Sequence, residues 1–164
     1  VQLQLIVSTN LKLLKAGGAI IGDSREIAKK FYNGKELPGP PRYVIVMSTH
    51  LKRNLTDLEF KAIYYHELGH YNLGHLSGPR KQIDQKLKEL EADKFAARHV
   101  GAANVLSALK KLPVIVGNCK SLKKASLENT TSELYDEKLS SFLDNLNKNM
   151  QYRFDSLNRL IQII

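Results

Sequence analysis

The stretch Tyr64-Tyr65-His66-Glu67-Leu68-Gly69-His70 sets the fold that the rest of the chain must build. On a helix, residues four apart lie on one face, so His66 and His70 aim two imidazoles at one point. That is the spacing needed for a metal ion held by two histidines. Glu67 is turned about 100° from His66. It therefore misses the metal and is placed to reach a water beside it as general base.

The flanks define a helix around this motif. Thr56 and Glu59 are spaced as a capping box, with Leu55 and Phe60 as its hydrophobic staple. The helix then runs from Leu58 to Leu73, and Gly74 is its expected stop. Leu58, Phe60, Ala62, Ile63, Tyr64, Leu68 and Gly69 put apolar or small residues nearly all the way round, which predicts a buried central helix. Two histidines and a glutamate there need partners, because burying an unpaired polar group costs several kcal/mol. A metal ion supplies one.

Two histidines fall short of the three protein ligands that a hydrolytic zinc site holds beside its open position. Glu89, Glu91, Asp93, His75 and His99 are the candidates for the third. A second helix is expected from Ile83 to Val100, with Leu90, Ala92, Ala96, Ala97 and Val100 on its apolar face. At 100° per residue, Glu89 and Asp93 fall about 40° apart in the middle of that face. Glu91 falls about 200° from Glu89, among Lys88, Lys94 and Arg98, and reads as a solvated surface acid. Two carboxylates aimed at a core are costly unless something positive waits there. Glu89 is thus the expected ligand, and Asp93 the acceptor that orients a ligand histidine. His75 is one residue short of the extended HExxHxxGxxH pattern, which would need Gly at 73 and His at 76 where this chain has Leu73 and Leu76. It reads as a surface histidine or one that supports a ligand. His99 sits at the edge of the buried face with no partner to name.

HELGH followed about twenty residues later by ELEADKFAA, Glu89 to Ala97, resembles the gluzincin metallopeptidases related to HtpX and the CAAX prenyl proteases. The preceding strand, turn and Leu-Thr-acid run into the motif helix is similar too. The ImmA/IrrE-type peptidases share a similar Glu-x-Glu-Ala-Asn/Asp pattern. The resemblance covers about residues 43 to 112. It implies an α+β zincin-like fold: a small mixed sheet on the HExxH helix, then a mainly helical C-terminal half. It implies one Zn2+ held by His66, His70 and Glu89, with Glu67 as base, Asp93 supporting the site, and a peptide or protein substrate. It also implies that Tyr43 to Ser48 is the sheet edge that pairs with that substrate. The His-Pro found near the end of much of the family is missing here. Tyr152 and Arg153 are the candidates for stabilising a transition state in its place. The alternative to a peptidase is a zinc-stabilised binding or structural module that keeps the motif without turnover. Intact Glu67 speaks against it, since a structural site needs no base.

Outside the motif, Val1 to Val7 alternates as a strand, Ser8 to Ala16 reads as a short helix stopped by Gly17-Gly18, and Ala19 to Gly22 as a second strand. Asp23 or Ser24 caps a helix to about Tyr32, closed by Asn33-Gly34. Leu37 to Arg42 is a proline-rich loop, and Tyr43 to Ser48 is the clearest strand. One short turn should join it to the motif helix. Ser77 to Gln82 reads as loop. Ala102 to Leu112 is an expected helix stopped by Pro113, with Val114 to Gly117 a short strand or connector, and Cys119 to Asn129 helix-compatible. Ser132 to Ile164 reads as one long amphipathic helix, with apolar positions Leu139, Leu143, Leu146, Met150, Leu157, Leu160 and Ile164 and one miss at Arg153. It either packs on the domain or forms a dimer coiled coil.

The 164 residues, 43% of them hydrophobic, suit one zincin-like domain over residues 1–164. The net charge of +9 divides as +4, +4 and +1 over residues 1–60, 61–118 and 119–164. That even spread predicts a basic surface rather than a nucleic-acid-binding arm. No run of about 18 apolar residues spans a membrane. With no visible signal peptide and a single cysteine, Cys119, the expectation is a soluble cytoplasmic or otherwise intracellular protein.

Overall fold

Tyr43–Ser48 forms a strand, β3, in which every residue from Val44 to Ser48 is buried. A strand covered on both faces has no polar side, which is why its sequence is a continuous apolar run. The computed structural model describes residues 3–126 and 150–162. In it, β3 is the middle of a three-stranded sheet of order β1-β3-β2. Strand β1, Gln4–Ser8, pairs with β3 in parallel, placing Leu5 beside Ile45. Strand β2, Ala19–Asp23, pairs antiparallel, placing Ile21 beside Ile45. The expectation that Tyr43 to Ser48 is a sheet edge is therefore corrected. Hydrogen bonds to β1 and β2 occupy both of its sides, and among the described residues the edges are β1 and β2.

Alternation along β3 divides two cores. Ile45 and Met47 join Leu51, Ala62, Ile63, Leu68 and Leu109 on one face. Val44 and Val46 join Leu13 and Ile27 on the other. Leu13 comes from a 3-10 helix over Leu11–Ala16, ended by Gly17 at φ 86°. Ile27 comes from helix α1, Ser24–Phe31, whose N-cap is Asp23.

A six-residue helix, α2 (Thr49–Asn54), capped by the Ser48 hydroxyl, stands where a single short turn was expected. The motif helix α3 runs Asp57–Asn72 with the capping box of Thr56 and Glu59 complete. It packs against β2, α4 (Gln85–Val100) and α5 (Ala102–Ser126). Gly69 sets the α3–α4 distance, since a Cβ there would lie 3.1 Å from the Phe95 Cβ. The expected loop at Ser77 to Gln82 contains a 3-10 turn over Pro79–Gln82.

The expected break at Pro113 does not occur, because α5 continues through it. An internal proline removes one hydrogen bond and crowds a carbonyl, costing about 3 kcal/mol or more. Ile115 and Val116 are buried on the far side of it, 5% and 0% exposed. Burying such side chains contributes roughly 1.5–3 kcal/mol each, enough to offset the loss. Val114 to Gly117 is thus helix, not strand. A last helix, α6, covers 150–162 and buries Met150 and Leu157 in the core around α3. Leu139, Leu143, Leu146 and Ile164 of the expected long helix lie outside the described residues. Among the described residues, no helix is long and apolar enough to cross a membrane.

Glu59 does more than cap. Its Oε1 accepts the Thr56 N–H at 2.8 Å and the Lys111 ammonium at 2.7 Å, and its Oε2 accepts the Ser107 hydroxyl. Burial alone would raise its pKa, but the Lys111 and Ser107 bonds dominate and lower it from 4.5 to about 2. A carboxylate whose folded pKa is depressed contributes stability above its unfolded value and loses it as pH falls. Glu59→Gln should therefore lower unfolding stability at pH 7 by about 1.5–3 kcal/mol. The gap from wild type should close as pH falls from 4.5 to about 2, read by urea unfolding.

Candidate metal centre

His66 and His70 project from one face of α3, with their Nε2 atoms 3.1 Å apart. Glu89, from the first turns of α4, brings Oε2 to 3.2 Å from His66 Nε2 and Oε1 to 3.6 Å from His70 Nε2. Each of the three offers a ligand atom, all within 4.8 Å of one another. Donors around a tetrahedral zinc at 2.0–2.1 Å stand about 3.3–3.4 Å apart. The donor triangle of this chain therefore fits such an ion in size as well as in chemistry.

The back of His66 is held by Asp93, 1% exposed, whose Oδ1 lies 2.9 Å from Nδ1. Asp93 is shared with Arg153 of α6, which donates from Nε to Oδ2 at 2.8 Å and from Nη2 to Oδ1 at 2.7 Å. Arg153 Nη1 also lies 3.2 Å from Glu89 Oε2. Burial would lower the His66 pKa, yet the bonds to Asp93 and Glu89 raise it to about 9. Burial, then the charge of His66, lowers His70 to about 3. Burial opposes ionisation of Glu89, but His66, then Arg153 and His70, hold its pKa well below the usual carboxylate range. For Asp93, too, burial is outweighed by Arg153 and His66.

Glu91 corrects the reading of a free surface acid. Its Oε2 lies 2.7 Å from His75 Nε2, and Arg80 Nη2 donates to its two oxygens at 2.6 and 2.5 Å. The helical wheel gives the direction in which Glu91 leaves α4, and on that side stand the loop after α3 and the 3-10 turn. His75 is buried, with its Nδ1 2.9 Å from His70 Nδ1. His99 stays outside the site, stacked on Tyr65 with ring centroids 4.2 Å apart.

Glu67 lines a cavity of about 580 Å³ together with His66, His70, Glu89, Tyr152 and Arg153. Among the described residues no hydrogen bond engages its carboxylate, and burial, outweighing the nearby His66, raises its pKa. Burial also raises the pKa of Tyr152, so its hydroxyl keeps its proton. The sequence signal for Arg153 was its place as the one polar interruption in an apolar stripe. Its attachment to Asp93 had no signal.

The described architecture is mixed α+β, a three-stranded sheet with a larger set of helices, and it carries a His-His-Glu group that could hold a metal ion. Comparison of the chain with protein-family models, with curated proteins and with solved structures found no match.

Removing Asp93 strips both partners of their acceptor. Asp93→Ala should destabilise the metal-free protein by about 3–5 kcal/mol, because the buried Arg153 charge loses its main partner. If the His-His-Glu group holds zinc, the same change should weaken that binding about 10–100-fold by freeing the His66 ring. Urea unfolding in chelator and competition with a chromogenic chelator read the two effects separately.

Proposed function

We propose that this chain is a zinc-dependent metallopeptidase, with His66, His70 and Glu89 holding the metal and Glu67 acting as general base. The observation that carries this reading is a carboxylate, Glu67, with no hydrogen-bond partner among the described residues, on the wall of the cavity where the three ligand atoms converge. The likeness of HELGH and ELEAD to the gluzincins supports it.

A zinc ion at that triangle would polarise the scissile carbonyl and bring the pKa of a water to about 7. The residues of the chain do the rest. Glu67 takes one proton from the attacking water as the new C–O bond forms. It delivers that proton to the amine nitrogen as the C–N bond breaks. Burial favours its protonated form, which suits a group that must take up a proton before returning it. Tyr152, on the same wall, offers a hydroxyl to the oxygen that gains charge. Arg153 is less available, because Asp93 engages its guanidinium through two nitrogens.

Ala19, Ile20 and Ile21 of the edge strand β2 border the cavity. An extended peptide adds to such an edge through its main chain. Ile63, Leu109, Leu112 and Met150 line the cavity too and favour apolar side chains. The substrate is then a peptide or an unfolded segment of a protein, and an intracellular one suits a chain with a single cysteine.

A zinc-stabilised module without turnover is the second reading, favoured by the ion pairs through which Arg153 ties α6 to α4. Glu67→Gln separates the two. It should keep one bound zinc per chain and lower turnover of a denatured protein substrate by about 10²–10⁴-fold. Wild-type protein that binds zinc yet cleaves the substrate no faster than Glu67→Gln would support the module. Chelation should also lower the melting temperature, since ligand at 100 times its Kd stabilises by about 2.7 kcal/mol. Calorimetry with and without verified zinc removal reads this, and coincident curves would count against a metal coupled to folding.

A further inference from the structure

Among the described residues, no carboxylate meets His70 Nδ1 as Asp93 meets His66 Nδ1. In its place stands a second histidine. Gly74, at φ 75°, turns the chain sharply after α3. The turn brings the His75 N–H to 2.9 Å from the His70 carbonyl, with the two Nδ1 atoms also 2.9 Å apart. On its other side, His75 Nε2 lies 2.7 Å from Glu91 Oε2. Arg80 then fixes Glu91 from the 3-10 turn, and its Nε donates to the Leu73 carbonyl at 2.9 Å. The His75 side chain is thus 1% exposed, with both nitrogens engaged.

We propose that His75 and Glu91 are positioning residues that fix the tautomer and orientation of His70, so that its Nε2 lone pair faces the metal. This rests on the metal site proposed above. The direction of the proton order follows from one end. A carboxylate paired with a guanidinium only accepts, so His75 donates to it from Nε2–H. A neutral imidazole carries one N–H, so His75 Nδ1 is a lone pair and accepts from His70 Nδ1–H. That leaves His70 Nε2 without a proton, at the point where it meets His66 Nε2 and Glu89 Oε1. The reverse order fails: a proton on His75 Nδ1 would set a bare Nε2 against a carboxylate 2.7 Å away.

The two ligand histidines are therefore held in the same way at Nδ1, by acids two residues apart on α4. Asp93 reaches His66 directly. Glu91 reaches His70 through one ring. Support of this kind typically changes metal affinity or activity by about 10–100-fold when removed.

The test is zinc affinity of the full chain by competition with a chromogenic chelator, with folding checked by circular dichroism. His75→Ala and Glu91→Ala should each weaken zinc binding about 10–100-fold. The double variant should bind no more weakly than His75→Ala alone, because Glu91 acts only through His75. Glu91→Gln should recover most of the affinity, since its amide oxygen still accepts from His75 Nε2–H. His75→Gln should recover part of it by accepting from His70 Nδ1–H. If His75→Ala does not fold, the contrast of Glu91→Ala with Glu91→Gln and His75→Gln decides. Unchanged affinity in the folded single variants, losses that multiply in the double, or a Glu91→Gln as weak as Glu91→Ala would overturn the relay while leaving the metal site in place. A wild-type chain that binds no zinc would overturn both.

Discussion

Asp93 is a buried carboxylate with two partner side chains 87 residues apart in the sequence, His66 on α3 and Arg153 on α6. An isolated charge in such a place would cost far more than a small domain can spare. Arg153 balances it through two hydrogen bonds in fork geometry, the strongest form that such a pair takes. The compensation is mutual, because Arg153 is itself only 11% exposed in its side chain. One carboxylate thus joins α3, α4 and α6, and the position of the His66 ring follows from that junction.

The three acids of α4 have three different environments. Glu89 faces two imidazoles, Asp93 lies deeper and takes the back of one of them, and Glu91 turns to the loop after α3. All three depend on how closely α4 approaches α3. Gly69 permits that approach, since nothing larger than hydrogen fits comfortably against Phe95. The same glycine lies inside the motif, between Glu67 and His70, so the chemistry and the helix packing constrain one short stretch together.

The sheet contributes position more than chemistry. With β3 at its centre, β2 is left at an edge beside the cavity, and its Ala19, Ile20 and Ile21 form a wall of it. Under the proposed function, a substrate strand in that cavity would find its main-chain partners on β2. The resemblance to gluzincins suggested β3 for this role. Nothing in the residues of β3 separates an edge strand from a central one except the lack of any polar alternation, which already pointed to burial on both faces.

The sequence by itself determined the local features: the capping box of α3, the shared face of His66 and His70, the shared face of Glu89 and Asp93, and the strand at Tyr43 to Ser48. Each depends on a helical or strand period, or on a cap within four residues, and those are properties of neighbouring residues alone. Tertiary structure decided the strand order, the passage of α5 through Pro113, the pairing of Glu91 with His75, and the arrival of Arg153 at Asp93 from 60 residues away. A period tells which way a side chain leaves its element. What stands opposite depends on the packing of other elements, whose burial can outweigh a local penalty such as that of Pro113 and whose charges make a place for a buried arginine.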